Sequence, residues 1–598
     1  MSGLAGVFYF DGRPAGPEPL GSILTRLAHR GPDGCATWID GSVALGFRAM
    51  HTTPEAVHEH QPFVKGKLGI VFHGRLDNRD ELRKALAPAG DGDAELALLA
   101  CEKWGEDAPG RLLGDFAFAY WDAARRRLLC ARDWIGARPL AYAVHAGRLV
   151  FASEPGALFG DAGLPREPNE GVIGEFLANA VTHREETVWK GVLRLPPSHV
   201  LVADAAGVRA RQYAPRSVSD VSGLASDLEY GNRFRELFRA AVLCRLRSNT
   251  PVCADLSGGL DSSSVVGMAQ ALFREGAAEG KGFETFSLSF PGRPCDERAY
   301  IDEVVSMWGL QANFEEAAAA DPGIYAASAA RTLDFPGYPN SAVALPIRPL
   351  ARKRGFRAVL TGIGSDEWLM GPGPRRGGVL RAALRAVLPH PAFETVAKVM
   401  GKRKAPAWIS AEFARRISLV DRIHAKDRHR PLVPGAEAAR RFAIDGTGWG
   451  QHMLEIDERD MAWHGLELRM PFYDRRLIEF ALTVPREQLR RGAATKFVLR
   501  GGLRDLLPPA VRDRRTKADF SHLFAEAFRA LGGERSFQSL TTAARGWTNT
   551  GPAASLYREF LREEAAGRMD QSRLMWPLWM IGGIEIWYSR AMAGITEP

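Results

Sequence analysis

The stretch that decides the fold of the second half of the chain is Leu256-Ser257-Gly258-Gly259-Leu260-Asp261-Ser262-Ser263. It follows a short apolar run, Pro251-Val252-Cys253-Ala254, which is typical of a buried strand, and it precedes apolar residues at helical spacing. The pattern therefore predicts a strand-to-helix turn, where glycine lets the backbone approach a ligand closely. The amino end of the helix then offers unpaired N–H groups to an anion.

Asp261 is the unusual member of this turn, because a carboxylate repels phosphate unless a cation lies between them, so its presence predicts Mg²⁺. Ser-Gly-Gly alone would fit an ordinary capped turn, and no lysine follows the last glycine as a P-loop requires. The whole stretch resembles the pyrophosphate loop of the N-type ATP pyrophosphatases. That resemblance implies ATP binding by Leu256, Ser257, Gly258, Gly259, Asp261, Ser262 and Ser263.

Composition sets broad limits on the protein. The 598 residues are 46% hydrophobic and 25% charged, as in ordinary globular proteins, and they suffice for two or more domains. A net charge of +8 gives no argument for nucleic-acid binding. Six separated cysteines and the lack of a signal peptide or long apolar run predict a cytoplasmic protein without a membrane span.

The first part of the chain is rich in predicted strands, among them 4–10, 43–47, 68–72 and a hairpin formed by 116–121 and 127–131. This pattern indicates a layered α+β domain. Its motifs resemble, in order, those of the glutaminase domain of class B asparagine synthetases, which has the N-terminal-nucleophile (Ntn) sandwich fold. The motifs are Met-x-Gly-x-Ala-Gly-Val-Phe at 1–8, His-Arg-Gly-Pro-Asp at 29–33, Gly-x-x-x-Asn at 74–78 and Arg-Asp-x-x-Gly at 132–136.

Two departures from the glutaminase pattern predict that this domain is degenerate. The family has a nucleophilic cysteine where this chain has Ser2, and an asparagine that polarises the amide where it has His73. A serine hydroxyl needs a strong base that a cysteine thiol does not, and the oxyanion donor is altered as well. We expect these lost glutaminase positions to leave a structural domain over 1–212, followed by a linker over 213–228.

Residues 229–598 are predicted to form a doubly wound α/β synthetase domain, because strands at 283–290 and 357–361 alternate with helices. Gly364-Ser365-Asp366-Glu367 resembles the second signature block of the synthetases, and the resemblance implies that Asp261 and Asp366 hold Mg²⁺ on the pyrophosphate. It also assigns Leu288, Thr361 and Gly362 to the adenosine, with Gly364 and Ser365 at the phosphates.

Three further positions bear on the chemistry. Lys517, in Arg514-Arg515-Thr516-Lys517, matches the lysine that faces the phosphate and the acyl intermediate in the family. Glu467 is a candidate for proton handling or amine positioning, and the alternative is a buried ion network with Arg469 and Asp474. Ile363 replaces the glutamate of asparagine synthetase and the tyrosine of β-lactam synthetase, and it can neither take nor orient a proton.

These features together favour ATP-dependent amide formation with an amine that the substrate itself carries. We expect a lasso peptide macrolactam synthetase, which would adenylate an Asp or Glu side chain of a leaderless ribosomal precursor peptide and join it to the peptide's N-terminal amine. The leader peptidase and leader-recognition protein would be its partners, and the basic stretch 369–445 would help to bind the peptide. The alternatives are a β-lactam synthetase, an asparagine synthetase and, least favoured, a non-catalytic scaffold.

Overall fold

A computed structural model describes residues 1–213, 223–279, 282–317, 321–369, 405–428, 448–567 and 571–593. Most of the basic stretch 369–445 and of the predicted linker 213–228 lies outside these ranges. None of the helices within them is long and apolar enough to cross a lipid bilayer.

The N-terminal part contains two antiparallel six-stranded sheets packed face to face. The first has the strand order Val192–Arg194, Ala141–His145, Arg148–Ala152, Gly3–Tyr9, Val43–Ala49 and Gly34–Asp40. The second has the order Gly207–Gln212, His199–Asp204, Arg127–Arg132, Gly114–Asp122, Leu68–Leu76 and Phe63–Lys65. Every predicted strand of this part overlaps one of these strands, and only the predicted strand 4–10 runs past the observed end, at Tyr9. Alternating apolar residues identify a sheet packed on its inner face.

Apolar side chains of both sheets fill the space between them, and helices cover the outer faces. The cluster between the sheets includes Leu4, Phe8, Leu45, Ala119 and Trp121. The helices are Leu20–Arg26, Arg79–Leu86, Asp93–Trp104, Ala108–Arg111 and Glu170–Leu177, with 3-10 turns at Glu55–Val57, Gly105–Asp107 and Pro155–Gly160. This is the predicted Ntn-type sandwich.

A parallel five-stranded sheet forms the centre of the C-terminal part. Its order is Gln311–Glu316, Phe283–Ser289, Val252–Asp255, Ala358–Leu360 and Glu467–Arg469. The helix Asp227–Leu246 leads into it and begins with a capping box in which Ser226 and Glu229 satisfy each other's backbone N–H groups. In a parallel sheet the carboxyl ends of all strands meet at one edge, where ligands of such folds bind.

Helices surround this sheet and continue into a helical C-terminal region. They are Leu260–Arg274, Arg298–Trp308, Gly323–Thr332, Pro339–Ala342, Ile347–Lys353, Ser365–Leu369, Ala411–Arg416, Leu419–Arg428, Gly448–Trp463, Arg475–Thr483, Arg486–Leu489, Phe497–Gly502, Pro509–Arg512, Ser521–Ala530, Glu534–Gln538, Thr541–Ala544, Thr550–Ala565 and Trp576–Ala591. Short helical turns lie at Pro471–Tyr473, Arg504–Leu506 and Gln571–Met575, and a two-stranded ribbon joins Arg490–Arg491 to Ala494–Thr495. The predicted α/β architecture is therefore present.

Candidate active site

The turn after the central strand has the geometry that its glycines predicted. Gly258 has a φ of +74°, and a Cβ there would come within 3.0 Å of Tyr300 and 3.1 Å of the carbonyl of Glu297. Gly259 precedes the first turn of the helix Leu260–Arg274 without a side-chain cap, so that the first N–H groups of the helix remain available. Ser257 and Ser262 join the two sides of the turn through their hydroxyls, 3.0 Å apart.

The second predicted turn lies directly beside the first. A Cβ on Gly362 would come within 2.5 Å of the backbone nitrogen of Ser262, so only glycine permits this approach. The strand Ala358–Leu360, which precedes this turn, is hydrogen-bonded to Val252–Asp255, which precedes the other. The sheet thus brings Asp261 and Asp366, 105 positions apart in the numbering, to the same edge.

A buried lysine joins these two carboxylates. Nζ of Lys496 lies 2.5 Å from Oδ2 of Asp261 and 2.5 Å from Oδ1 of Asp366, and it donates to Oγ of Ser365 at 2.7 Å. Its side chain is only 3% exposed. Both carboxylates therefore face one point, and the ammonium group places a positive charge there.

Lys517 approaches the same carboxylate pair from the solvent side. Its Nζ lies 2.5 Å from Oδ2 of Asp366, and its side chain is 66% exposed. Partial burial would raise the pKa of Asp366, but Lys496 and Lys517 together hold the pKa of this carboxyl below its usual value. Asp366 is therefore ionised at neutral pH, and it lies against the ammonium groups of both lysines.

Three polar atoms around these turns are buried without a hydrogen-bond partner among the described residues. They are Oδ1 of Asp261, Oγ of Ser263 and Oγ1 of Thr361. Buried polar atoms normally have hydrogen-bond partners, so three unpaired polar atoms at one site indicate a place for a polar ligand. The free carboxylate oxygen of Asp261, next to Asp366, is a suitable ligand atom for Mg²⁺, which prefers oxygen donors.

A cavity of about 190 Å³ opens beside the first turn. Leu256, Ser257 and Leu288 lie on its wall, whereas Thr361 and Gly362 do not. Most of the remaining lining is apolar and aromatic, as an adenine ring requires. The full lining also includes Phe286, Phe290, Cys295, Val343, Ile347 and Phe520.

Arg348 is a charged member of this wall that the sequence did not single out. Its Nη1 and Nη2 donate to the two oxygens of Asp255 at 2.5 and 2.8 Å, a bidentate pair at the carboxyl end of the central strand. The sequence analysis did not single out Lys496 either. Neither residue carries a local signal, because each reaches the site from an element distant in sequence.

Glu467 does not lie with these residues, and this corrects its predicted role. It pairs with Ala358 at the start of its strand, whereas the two turns follow the strands' ends. Arg138 donates to Oε1 at 2.9 Å and Arg469 to Oε2 at 3.0 Å. Burial would raise the pKa of Glu467, but these guanidinium groups hold it well below its usual value, which favours the ionised carboxylate near neutral pH.

The geometry therefore favours the alternative of a buried ion network, which Asp474 joins through Arg245, Asp115 and Arg75. Asp474 does not contact Glu467 but accepts hydrogen bonds from Arg245 and Arg476. The network also crosses to the N-terminal domain, where buried arginine–carboxylate pairs join the two parts of the chain. These pairs are Arg30–Glu458, Arg138–Glu467, Arg194–Glu455 and Arg245–Asp115.

Glu467→Gln should therefore lower stability rather than impair proton transfer. Removing one charge leaves Arg138 and Arg469 buried beside a neutral amide, and breaking a buried pair costs about 3–5 kcal/mol. We expect a loss of about that size, measured by urea denaturation. Glu275→Gln removes a half-exposed partner of Arg239 and should cost less than about 1 kcal/mol. Equal stabilities of the two variants would contradict this assignment.

The predicted glutaminase positions lie beside a small cavity. The hydroxyl of Ser2 accepts a hydrogen bond from the backbone N–H of Met50 at 3.0 Å, and the adjoining cavity has a volume of only about 30 Å³. That volume holds roughly two water molecules. His73 is buried, with neither ring nitrogen hydrogen-bonded to a described residue, and burial and nearby arginines hold its pKa well below the usual value.

Comparison with known proteins shows the family to which the chain belongs. Residues 233–589 match the family Asparagine synthase, and residues 1–214 match the Glutamine amidotransferase domain. The chain belongs to the asparagine synthase family, whose members are ATP-dependent amide ligases, and it carries an N-terminal amidotransferase domain.

Individual relatives are similar over most of their length. Asparagine synthetase [glutamine-hydrolyzing] 3 of Bacillus subtilis is 26% identical over 83% of this chain and 83% of its own. A putative glutamine-hydrolysing asparagine synthetase of Mycobacterium bovis is 27% identical over 97% and 96%. Among solved structures, glutamine phosphoribosylpyrophosphate amidotransferase of B. subtilis matches 52% of this chain and 81% of its own at 14% identity and a TM-score of 0.27.

Proposed function

We propose that this protein is a peptide macrolactam synthetase of the lasso type, acting in the cytoplasm. It adenylates an Asp or Glu side chain of a leaderless precursor peptide with MgATP, and the peptide's own N-terminal amine then displaces AMP. The observation that carries the proposal is an ATP-type site in which Asp261, Asp366, Lys496 and Lys517 converge, in a chain whose amidotransferase domain has Ser2 at the nucleophile position.

Different residues of the site would bind different parts of MgATP during adenylation, the first step. The cavity beside Leu256 and Leu288 suits the adenine, and the amino end of the helix Leu260–Arg274 suits the phosphates. Asp261 and Asp366 would hold Mg²⁺, which supplies positive charge against the phosphates. Lys517 is exposed enough to leave Asp366 and to stabilise the charge that develops on the α-phosphate and the leaving pyrophosphate.

The source of the amine decides between the candidate functions. Ser2 has its hydroxyl engaged by Met50, and Ile363, 36% exposed at the second turn, offers no proton acceptor to free ammonia. Both features support an amine that is already part of the substrate. The names of the bacterial relatives support the second candidate, an asparagine synthetase that combines aspartate with ammonia. A β-lactam synthetase would use a small β-amino acid.

The test is mass spectrometry of a linear core peptide, from a precursor encoded beside this protein, after incubation with the protein and MgATP. We expect the peptide to lose one water while AMP and pyrophosphate form in equal amounts. L-aspartate with ammonium chloride or with glutamine, and a small β-amino acid, serve as parallel substrates. Asparagine formation without peptide dehydration would replace the macrolactam proposal with the second candidate.

The leader peptidase and leader-recognition protein of the same pathway are the proposed partners. They would deliver the peptide with a free N-terminal amine, which the second step needs. The basic stretch 369–445 remains a candidate for peptide binding.

A further inference from the structure

The role proposed for Lys517 requires its ammonium group to be held at a fixed place, and the side chain alone cannot hold it there. Lys517 is 66% exposed, and a lysine carries its charge on a flexible four-carbon stem. It lies in residues 514–520, an irregular connection between the helices Pro509–Arg512 and Ser521–Ala530, which we call the lysine segment. The position of Lys517 therefore depends on the contacts that anchor the lysine segment.

Arg514 anchors the start of the lysine segment by two contacts. Its Nη1 donates a hydrogen bond to Oε1 of Glu297, and the central carbon of its guanidinium group lies 4.1 Å from the centre of the Tyr300 ring. The side chains of Arg514 and Glu297 are only 10% and 12% exposed. Shielding from water strengthens both a charge-assisted hydrogen bond and a cation–π contact, so this end of the lysine segment is firmly placed.

Both partners of Arg514 pack against the first turn of the candidate site. A Cβ on Gly258 would lie 3.0 Å from Cβ of Tyr300 and 3.1 Å from the carbonyl oxygen of Glu297. Arg514 is thus connected, through two neighbouring side chains, to the turn that would hold the phosphates. Three positions later in the chain, Lys517 meets Asp366 at the second turn.

The other end of the lysine segment lies at the cavity beside the first turn. The rings of Phe520 and Phe290, which both line this cavity, have centres 5.3 Å apart. Oδ1 of Asp519 accepts a hydrogen bond from the backbone N–H of Ser521 at 2.9 Å, where the next helix begins. The lysine segment therefore spans the site from the first turn to the cavity, and Lys517 lies between two fixed ends.

We propose that Arg514 is a positioning residue for Lys517. By binding Glu297 and Tyr300 it fixes the start of the lysine segment against the first turn, and this sets where the ammonium group of Lys517 lies when pyrophosphate leaves. Arg514 acts on the reaction only through Lys517. The inference rests on the adenylation step of the proposed function, and it holds for any acyl substrate that undergoes this step.

Arg514→Gln tests this role through the kinetics of pyrophosphate release. The acyl substrate is whichever of the linear core peptide and L-aspartate makes the wild-type protein release pyrophosphate. We expect kcat to fall about 100-fold, because a misplacement of about 1 Å caused by a distant change can cost that much. The KM for ATP should stay within about threefold of wild type. Arg514→Lys keeps the charge opposite Glu297 and should recover about tenfold of the lost rate.

Combining Arg514→Gln with Lys517→Gln shows whether the two residues act as one unit. The double variant should be no slower than Lys517→Gln alone, because a positioning residue has no effect once the residue that it positions is gone. Losses that multiply would overturn the proposal, since Arg514 would then act independently of Lys517. A rise in the KM for ATP as large as the fall in kcat would overturn it as well.

Limited digestion with trypsin tests the anchor without any substrate. Arg515 and Lys517 are exposed, and cleavage after them should be about tenfold faster in Arg514→Gln, because the lysine segment opens more often. Cleavage at the wild-type rate would overturn the proposal. Arg13→Gln is the control, since Arg13 also pairs with a carboxylate, that of Asp11, and lies 4.3 Å from the Tyr9 ring centre, but in the N-terminal domain.

Arg13→Gln should leave the rate of pyrophosphate release and the cleavage of the lysine segment unchanged. Failure of the proposed function is visible separately in the wild-type protein. It would release pyrophosphate with L-aspartate and leave the linear core peptide unaltered, whereas the comparison of Arg514→Gln with the wild type would proceed with L-aspartate.

Discussion

Asp261→Asn should reduce ATP cleavage by about 1,000-fold, the upper range for removing one group that stabilises transition-state charge. The substitution removes a negative charge from the point where Asp261, Asp366 and Lys496 meet. It also replaces the free carboxylate oxygen, which is buried without a partner, by a weaker ligand for Mg²⁺. The measurement is substrate-dependent exchange of labelled pyrophosphate into ATP.

The control for this variant is Asp302→Asn. Asp302 is half-exposed and accepts a hydrogen bond from Arg298 on the helix Arg298–Trp308, and neither residue lines the cavity beside the first turn. It should exchange pyrophosphate like the wild type. Because Lys496 is buried and loses a partner, the thermal stability of Asp261→Asn is measured in parallel. Exchange within tenfold of wild type in a folded Asp261→Asn protein would show that this carboxylate does not serve ATP.

Lys517→Gln should lower kcat of adenylation by about 100- to 1,000-fold and change KM much less. Its ammonium group is exposed and bound only to Asp366 among the described residues, so the fold does not depend on it. Charge on the α-phosphate and pyrophosphate rises as the bond breaks, and a group that meets only this charge affects kcat. The rate is followed by pyrophosphate release at saturating ATP.

Lys190→Gln is the matched control for Lys517→Gln. Lys190 is also 66% exposed and also lies against one carboxylate, that of Glu167, at 2.6 Å, but on the N-terminal domain. It should leave the rate unchanged, and both variants should unfold at the wild-type temperature. A kcat for Lys517→Gln within threefold of wild type would remove this residue from the catalytic step.

Local sequence was sufficient for the two turns of the candidate site. Gly258 needs a positive φ, and Gly362 needs space against Ser262. The two glycines therefore indicate the backbone geometry of the turns from the sequence alone. Strands buried on both faces are equally visible as short apolar runs. The resemblance to the synthetases implied that Asp261 and Asp366 act together, and the position of both turns at the carboxyl ends of parallel strands agrees with that expectation.

Other residues could not be placed in this way. Lys496 reaches Asp261 from a residue with a φ of +55°, just after a two-stranded ribbon, and nothing in its own neighbourhood indicates where the ribbon docks. Glu467 was a candidate for proton handling on the strength of its motif, and the motif does not reveal that Glu467 pairs with Ala358 at the start of its strand. The pairing of Glu467 with Arg138 depends on contact between the two domains.

That contact has a consequence for engineering. Arg30, Arg138 and Arg194 supply counter-charges to Glu458, Glu467 and Glu455 across the boundary, and all of these side chains are shielded from water. A chimera that joins the amidotransferase half of another relative to this synthetase half would leave each unmatched charge buried without a counter-charge. Each such charge would lower the folding stability by several kcal/mol. The N-terminal domain is thus best treated as an inseparable part of the enzyme, and recombination libraries should exchange both halves together.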